Sequence, residues 1–272
     1  MTTGLIVNAD DFGLTVATSH AIEEAHRSGL VTSTSVLAVA PAATSSLASL
    51  DAPDLDVGVH LALVGEDPPL LSATEVPTLV DRRGRLPRSW RTLLARVVRM
   101  DPEEVVREMR AQVELVRRAG HAPTHLDTHQ HVHLLPRIST AVVRVAEVED
   151  IAWVRVPEAR ASGPRARGIG HLSARLRSEV AAAGRRAADR FTGIEDAGHQ
   201  TSTSLRRRLQ EVAVGAPQVV EVNVHPGAAT DPARGRYAWG YEWADELSAL
   251  VDPATAATCA DLGLRPRRRG DL

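Results

Sequence analysis

Histidines recur at alternate positions in the segment THLDTHQHVH, residues 124–133. This segment holds four of the chain's 11 histidines and one aspartate: His125, Asp127, His129, His131 and His133. In an extended strand, residues two apart point to the same side, so His125, Asp127 and His129 would share one face. Imidazole and carboxylate groups bind Zn²⁺, Mg²⁺ or Fe, and a carboxylate often supports a ligand histidine. The alternation spans too far for all four histidines to bind one ion, so we expect one or two ligands here.

A pair of adjacent carboxylates, Asp10 and Asp11, follows the short apolar run at residues 5–7. In a continuing strand the two side chains would face opposite sides, but Phe12-Gly13 indicates that a turn begins here and that both can point to one place. One carboxylate could then bind a metal ion while the other acts as a base toward the ion's water. The alternative is a helix N-cap and turn pair with no catalytic use.

Three further residues with useful chemistry lie in or directly after predicted strands: His60, Arg155 and His225. Each also has an ordinary structural explanation. His60 could be a hydrogen-bonded core histidine, Arg155 an ion-pair partner, and His225, which precedes Pro-Gly, part of a turn. The carboxyl ends of parallel strands meet at one face of a sheet, so these segments together would bring imidazoles and carboxylates to a single mouth.

The elements that must position these residues alternate between strand and helix patterns. Strands are predicted at residues 5–7, 32–40, 56–63, 123–129, 153–156 and 218–224. Helices are predicted at residues 15–28, 101–120, 136–147, 204–214 and 241–251. This alternation favours an α/β fold with a parallel sheet, open or closed as a barrel. We expect excursions at about 65–100, over the surface and able to form a lid, and at 158–200, and a solvated end in the tail RPRRRGDL.

Composition limits the function classes. A length of 272 residues suits one large α/β domain, and a net charge of −2 gives no reason to expect a nucleic acid or membrane-surface partner. All 32 positive residues are arginine, which excludes a Schiff-base or P-loop lysine. The one cysteine, Cys259, excludes an internal disulfide and a thiolate cluster. The sequence shows neither a signal peptide's apolar core nor a run of roughly 20 apolar residues, so we expect a cytoplasmic protein with no membrane span.

Four segments resemble the YdjC-like carbohydrate deacetylases, a family that includes chitooligosaccharide deacetylases. They are LIVNADDFGLT (5–15), GVHLAL (58–63), PTHLDTHQHVHLLP (123–136) and NVHPG (223–227). VTSTSV (31–36) and VRVPE (154–158) are similar to weaker family segments. The order and spacing of these segments cover the chain from residue 5 to about residue 251, so the resemblance extends over nearly the whole sequence.

The resemblance implies a distorted, TIM-barrel-like (β/α) barrel formed by residues 1–272 as one domain, with the active site at the carboxyl ends of the strands. It implies removal of the acetyl group from an N-acetylated amino sugar, with one divalent metal ion as cofactor, and it suggests a homodimer. Carried over by motif, the metal ligands are Asp11, His60 and His129, and Asp10 is the catalytic base. His225 is the acid or the oxyanion partner. Substrate-binding or supporting roles fall to the remaining three candidates: Asp127, His131 and Arg155.

Several alternatives stay open. Two imidazoles and one carboxylate favour Zn²⁺, whereas the family resemblance points to Mg²⁺. Instead of a deacetylase, the chain could be a different metal-dependent amidohydrolase or a phosphoesterase on the same scaffold. It could also be a non-catalytic metal-dependent sugar-binding protein, or a scaffold with purely structural histidines. The substrate could be a chitooligosaccharide, another N-acetylglucosamine conjugate or a lipid-linked glycoside such as a hopanoid precursor. Trp90, Trp239 and Trp243 could stack on one or two sugar rings or simply pack.

Overall fold

Strands and helices alternate along the part of the chain that the computed structural model describes, residues 2–159 and 163–272. The strands are β1 (Thr3–Phe12), β2 (Ser33–Val36), β3 (Asp56–Leu61), β4 (His125–Thr128), β5 (Trp153–Val154), β6 (Arg190–Thr192), β7 (Val219–Val224) and β8 (Leu264–Pro266). The α-helices are α1 (Val16–Ser28), α2 (Ala43–Ser49), α3 (Trp90–Arg96), α4 (Pro102–Arg118), α5 (Pro136–Val148), α6 (Pro164–Ala182), α7 (Ser202–Val212), α8 (Trp243–Val251) and α9 (Pro253–Asp261). Short 3₁₀ turns lie at Val97–Arg99, His129–Leu134, Pro232–Arg236 and Arg269–Asp271.

The strands in the described ranges form one parallel sheet in the order β5-β4-β3-β2-β1-β7-β6, and β8 pairs with the first residues of β1. The sheet curls until its two ends approach each other. Arg186, which precedes β6, forms a parallel bridge with Trp153 of β5. The result is a distorted, incompletely closed (β/α) barrel, and the predicted fold class is confirmed.

The two faces of the sheet differ in polarity, as the period-two alternation of strand side chains allows. In β1, Leu5, Val7 and Ala9 belong to the apolar core that the strands share with the helices. Asn8 faces the other side, where its Nδ2 donates a hydrogen bond to Ser35 Oγ of β2 at 2.9 Å. Barrel interiors of this kind are usually filled by branched apolar side chains. The polar side chains inside this barrel are therefore not explained by packing of the core alone.

Side-chain caps mark the starts of two predicted helices, α1 and α4. Thr15 accepts a hydrogen bond from the Thr18 amide at the start of α1, and Asp101 accepts one from the Glu103 amide ahead of α4, where Pro102 occupies the first turn. Each predicted helix begins within two residues of an observed one. None of the helices in the described ranges is long and apolar enough to cross a bilayer.

The first predicted excursion, residues 65–100, packs against the barrel as well as running over its surface. Val76 and Leu79 are buried in the main core. Glu108 of α4 accepts a hydrogen bond from the Leu70 amide at 2.9 Å, which fixes the backbone of the segment to a helix. The segment then ends in α3, whose first residue, Trp90, reaches the mouth of the barrel.

The second predicted excursion, residues 158–200, contains α6 and the strand β6, although residues 160–162 lie outside the described part. The sequence does not predict β6 because three residues are too few to show an alternating pattern. Its position follows from pairing with β7, in which Arg190 lies opposite Val220. Tertiary context, and not local pattern, therefore determines this strand.

The prediction of a solvated tail at residues 265–272 holds for most of these residues, five of which are exposed, but it is wrong for Arg269. β8 pairs beside the start of β1, and the turn that follows carries Arg269 into the barrel, where it is 2% exposed. Glu221 of β7 lies 3.1 Å from Arg269 Nη2 and supplies the opposite charge that such burial requires. Three consecutive arginines at 267–269 look like a surface run in the sequence, so their charge could not reveal that one of them turns inward.

Glycine is required at position 58 because a Cβ there would overlap the ring of His125. We expect Gly58→Ala to lower the free energy of unfolding by about 1–3 kcal/mol, the usual cost of overpacking a core. The matched control is Gly168→Ala in the exposed part of α6, where a Cβ meets nothing within 4 Å. The control should raise the free energy of unfolding by about 0.5–1 kcal/mol, since alanine favours a helix over glycine. Urea unfolding followed by circular dichroism measures both, and equal effects of the two substitutions would contradict the expectation.

Candidate active site

Two adjacent carboxylates reach the same end of the barrel because β1 is irregular near its end. The pairing of β1 with β2 shifts register between Ala9 and Phe12, and Asp11 has a φ of 68°. A regular strand would send Asp10 and Asp11 to opposite faces, but this bulge turns both toward one pocket. The two side chains therefore converge as predicted, by a bulge within the strand and not by a turn after it. Left-handed backbone is uncommon at a non-glycine residue, and it occurs at functional sites as well as in turns.

Asp11, His60 and His129 bring three ligand atoms together at the carboxyl ends of β1, β3 and β4. His60 Nε2 and His129 Nδ1 each lie 3.5 Å from Asp11 Oδ1, and they lie 3.4 Å from each other. Ligand atoms about 2.0–2.1 Å from one tetrahedral ion are separated by roughly 3.3–3.4 Å. The spacing of the three atoms therefore matches that expected around a single cation.

A buried oxygen without a partner supports this fit. Asp11 is 2% exposed, and its Oδ1 accepts no hydrogen bond within the described residues. A second group of potential ligands, Asp10, His60 and Asp127, shares His60 with the first. In that group both carboxylates already receive hydrogen bonds or ion pairs from Arg155. Because buried polar atoms normally have partners, Asp11 Oδ1 is the better candidate to bind a cation.

The His60 ring is fixed from behind by Asp127. His60 Nδ1 donates a hydrogen bond to Asp127 Oδ1 at 2.6 Å, which leaves Nε2 facing Asp11. Burial alone would lower the pKa of His60, but the nearby carboxylates of Asp127, Asp10 and Asp11 outweigh it and raise the pKa to about 9. A histidine held in this way by surrounding negative charge indicates a site that is short of positive charge, which a bound cation would provide.

Arg155 lies beneath the pocket and holds Asp10 with two hydrogen bonds. Its Nη1 and Nη2 each donate to one oxygen of Asp10 at 2.8 Å, and Nη2 also lies 2.9 Å from Asp127 Oδ2. Burial alone would raise the pKa of Asp10, but the charge of Arg155 outweighs it and places the pKa well below the usual range. Asp10 is therefore ionised at neutral pH. Arg155 is 1% exposed, so it supports Asp10 from below the pocket and does not line it.

His225 lies on the opposite side of Asp10, directly after β7. Its Nε2 is 3.9 Å from Asp10 Oδ2, and its Nδ1 is 3.8 Å from Glu246 Oε2 of α8. Glu246 also accepts a hydrogen bond from the His225 backbone amide at 2.6 Å, which fixes the turn. Burial alone would lower the pKa of His225, but the carboxylates of Glu246 and Asp10 outweigh it and raise the pKa. The imidazole can therefore carry a proton near neutral pH.

The other histidines of the 124–133 segment do not join the group around Asp11. His125 lies 3.0 Å from Ser35 Oγ inside the barrel, and His133 contacts the backbone oxygen of Arg155 at 2.9 Å. His131 lines the pocket, and its Nδ1 has no hydrogen-bond partner within the described residues. β4 ends at Thr128, and left-handed backbone at residues 130 and 131 separates these side chains. The alternating pattern thus breaks after Thr128.

The pocket above the carboxylates has a volume of about 340 Å³ and aromatic walls. Trp90 lines one part of it, and Trp239 and Tyr241 line another. The Trp239 ring lies against the His129 ring with centroids 5.0 Å apart. Trp243 is 6% exposed and packs against Trp239 with centroids 5.8 Å apart, and it is not part of the pocket lining. Two of the three predicted tryptophans therefore face the site, and the third supports one of them.

Hydrogen bonds tie together two loops beside the pocket, the segment after β3 and the segment that begins at Arg236, the last residue of the 3₁₀ turn Pro232–Arg236. Asp67 accepts hydrogen bonds from Arg236 Nη2 at 2.6 Å and from the Tyr237 hydroxyl at 2.9 Å. Glu66 accepts one from Trp239 Nε1 at 3.2 Å. The aromatic wall is therefore held by residues far from it in the sequence.

Among the polar residues that support Asp10 and Asp127, Asn8 is recognisable in the sequence beside the carboxylate pair, whereas Asn223 and Ser35 were missed. Asn8 Nδ2 donates to Asp10 Oδ1 at 2.8 Å, Asn223 Nδ2 lies 3.3 Å from Asp10 Oδ2, and Ser35 donates to Asp127 at 2.6 Å. A signal was present: Asn8 and Asp10 alternate with apolar neighbours, as Asn223 does in β7. This alternation would have identified Asn223, but Ser35 lies in the run STSV, which does not alternate with apolar residues.

Comparison with known protein families identifies relatives over almost the whole chain. The family model described as YdjC-like protein matches residues 4–261. A chitooligosaccharide deacetylase of Klebsiella pneumoniae (strain 342) is 35% identical over 265 residues, which cover 96% of this chain and 96% of that protein. A carbohydrate deacetylase of Geobacillus stearothermophilus is 29% identical over 269 residues, which cover 96% of this chain and 94% of that protein.

Other similarities are shorter or concern the fold. A carbohydrate deacetylase of Halalkalibacterium halodurans is 37% identical over 148 residues, and this match spans 54% of the chain and 61% of the relative's length. The crystal structure of an Enterococcus faecalis V583 protein, named for cellobiose-phosphate cleavage, matches with a TM-score of 0.83 over 100% of this chain and 99% of that one. At 24% identity the second similarity shows a shared fold alone.

Proposed function

The chain belongs to the YdjC-like family, and we propose that it is a metal-dependent hydrolase that removes the acetyl group from an N-acetylated amino sugar. The products are acetate and the free amine. The observation that carries this proposal is the triangle of Asp11, His60 and His129 ligand atoms beside a separate, ionised carboxylate, Asp10. Two relatives that match over nearly their whole length, one named carbohydrate deacetylase and the other chitooligosaccharide deacetylase, support the same chemistry.

We assign a divalent ion to Asp11, His60 and His129. When bound there, such an ion lowers the pKa of a coordinated water and polarises the acetyl carbonyl. The donor set of two imidazoles and one carboxylate favours Zn²⁺ by ligand type, and Mg²⁺ is the alternative that the resemblance implies. Asp127 keeps the His60 ring in the tautomer and orientation that a ligand needs.

Asp10 acts as the general base. It lies among the pocket-lining residues, and Arg155 keeps it in its unprotonated form. As water attacks the acetyl carbon, Asp10 accepts the water's proton, and Asn8 and Asn223 hold the carboxylate in place through that step.

His225 acts on the other side of the reacting amide. Because its pKa is raised, the imidazole can hold a proton for donation near neutral pH. The residue lines the pocket together with Asp10, and its Nε2 lies 3.9 Å from Asp10 Oδ2. The C–N bond breaks as the amine nitrogen takes this proton, and the carbonyl carbon leaves as acetate. While protonated, His225 also stabilises the negative charge that develops on the carbonyl oxygen.

The pocket favours one N-acetylated sugar ring over a phosphate ester. Its volume of about 340 Å³ lies at the lower end of ligand pockets, which suits a single ring with the rest of a longer substrate outside. Trp90 and Trp239 offer flat surfaces for that ring. Arginine is absent from the pocket lining in the described ranges, so a phosphate group would find no guanidinium there.

An acetate-release screen tests the proposal. The substrates are N-acetylglucosamine, short chitooligosaccharides and a lipid-linked N-acetylglucosaminide, each with chelator, with Zn²⁺ and with Mg²⁺. We expect release from at least one class, loss with chelator and recovery with a divalent ion. p-Nitrophenyl phosphate serves as the comparison substrate. Phosphate release without acetate release would favour the phosphoesterase, and metal-dependent sugar binding without turnover would favour the sugar-binding protein.

The predicted homodimer and cytoplasmic location belong to this proposal as well. Sedimentation equilibrium of the purified protein measures the first, and fractionation of the native host measures the second.

A further inference from the structure

We propose that Arg269, at the amino-terminal end of the barrel, is a positioning residue for Asp10 and acts through Glu221 and Asn8. This inference rests on the proposed function of Asp10 as the base. Arg269 follows β8, which pairs with the first residues of β1, whereas the pocket lies at the carboxyl ends of the strands. The family model matches residues 4–261 and thus does not include Arg269.

The first route from Arg269 runs through two ion pairs. Arg269 Nη2 lies 3.1 Å from Glu221 Oε1, and the same oxygen accepts a hydrogen bond from Arg155 Nε at 2.7 Å. Arg155 then donates to both oxygens of Asp10. Glu221 fixes the guanidinium edge that Asp10 does not use, so it sets the plane in which Arg155 presents its other two nitrogens.

The second route runs through an amide. Arg269 Nη1 donates to Asn8 Oδ1 at 3.3 Å and also contacts Ser33, which itself donates to Asn8 Oδ1 at 2.7 Å. With its oxygen held by these donors, Asn8 turns its Nδ2 toward Asp10 Oδ1 at 2.8 Å. The two routes therefore converge on the same carboxylate from two directions.

Stability alone does not explain a second arginine in this place. Arg155, Arg269, Glu221 and Asp10 are each at most 2% exposed. Buried ion pairs seldom stabilise a fold more than well-packed apolar residues of similar volume, because desolvation opposes their attraction. Arg269, Glu221 and Arg155 form a polar row from the amino-terminal end of the barrel to Asp10 at the base of the pocket. This row is better explained by the orientation it imposes on Asp10.

The experiment compares Arg269→Met with Arg268→Met, which changes a partly exposed neighbouring arginine that pairs with Asp54 and Asp271. With the divalent-ion-loaded protein, we expect Arg269→Met to lower kcat for acetate release by about 10- to 100-fold, the usual effect of losing a supporting partner, with KM changed less than about threefold. Arg268→Met should stay within about twofold of the wild type in both constants. Arg269→Lys should recover part of the loss, since it restores the charge without the fork.

An independent readout follows Arg155 itself. ¹⁵N NMR measures the hydrogen exchange of its Nε–H, and the signal is assigned as the one lost in Arg155→Lys. This exchange should be slow in the wild type. It should be at least about tenfold faster in Arg269→Met at temperatures where both proteins are folded. A folded Arg269→Met protein with wild-type kcat and wild-type exchange overturns the proposal, as does an equal loss of kcat in Arg268→Met.

Two further outcomes remain decisive. If Arg269→Met does not fold, Glu221→Gln takes its place, and a folded Glu221→Gln protein with wild-type kcat and exchange overturns the proposal. If the wild type releases no acetate from any substrate, the proposed function fails separately, and the exchange of Arg155 Nε–H in the variants still decides whether Arg269 positions the row.

Discussion

Asp10→Asn is expected to lower kcat for acetate release by about 10²- to 10⁴-fold, the range that a positioned general base supplies. An amide cannot accept the proton of the attacking water. It also removes the negative charge that Arg155 contacts with two nitrogens, so the remaining positive charge would oppose protonation nearby. The affinity for a divalent ion should change less than tenfold, because Asp10 does not belong to the ligand group of Asp11, His60 and His129. Steady-state kinetics and metal titration measure the two effects separately.

The control for Asp10→Asn is Asp54→Asn, which removes a carboxylate whose side chain is 79% exposed and pairs with Arg268 at the surface. Its kinetics should equal those of the wild type, since exposed ion pairs contribute little. Unchanged turnover in a folded, metal-loaded Asp10→Asn protein would assign the base to another group, and His225 would then be the next residue to substitute.

His129→Ala is expected to weaken binding of Zn²⁺ by at least about 100-fold. Substitution of a residue that only supports a metal ligand already lowers metal affinity by about 10- to 100-fold, and loss of a ligand should lower it at least as much. The substitution removes one of the three ligand atoms and leaves Asp11 and His60 as an incomplete set. Trp239 gives a direct optical readout, since its ring lies 5.0 Å from the His129 ring in the wild type. Titration of chelator-treated protein with Zn²⁺, followed by tryptophan fluorescence and checked by calorimetry, measures the change. Acetate release should fall with the fraction of metal-bound protein.

His20→Ala is the matched control for His129→Ala, because it removes an exposed imidazole from α1. Its Zn²⁺ affinity should match that of the wild type. If His129→Ala binds Zn²⁺ as tightly as this control, His129 is not a ligand, and the second group of potential ligands, Asp10, His60 and Asp127, becomes the candidate.

The architecture could be predicted from the sequence because the strands and helices that carry the site residues have clear local patterns. The alternation at residues 56–63 and 218–224 and the caps at Thr15 and Asp101 are local signals, and local signals survive into the fold. The family resemblance is confirmed by the match over residues 4–261. The convergence of Asp10, Asp11, His60, His129 and His225 on one pocket followed from a single geometric rule about parallel strands.

What the sequence did not reveal depends on non-local contacts. The left-handed backbone at Asp11 results from the register shift against β2, which no local pattern in NADDFG reports. β6 exists because β7 offers it a partner. Arg269 is buried because Glu221, which lies 48 positions earlier in the sequence, is inside the barrel. In each case the contact that determines the local structure is made with a residue far away along the chain. Local propensity and composition therefore do not predict it.

The hydrogen bonds between the two loops beside the pocket have a practical consequence for changing substrate preference. Asp67 joins Arg236 and Tyr237, and Glu66 joins Trp239, so the wall on that side is a shared product of two distant stretches. If one loop alone were replaced by that of a relative, its hydrogen-bond partners in the other loop would no longer match. A buried carboxylate or hydroxyl would then be left without a partner. Engineering of this entrance must therefore exchange both stretches as one cassette, and natural variants should change them in concert.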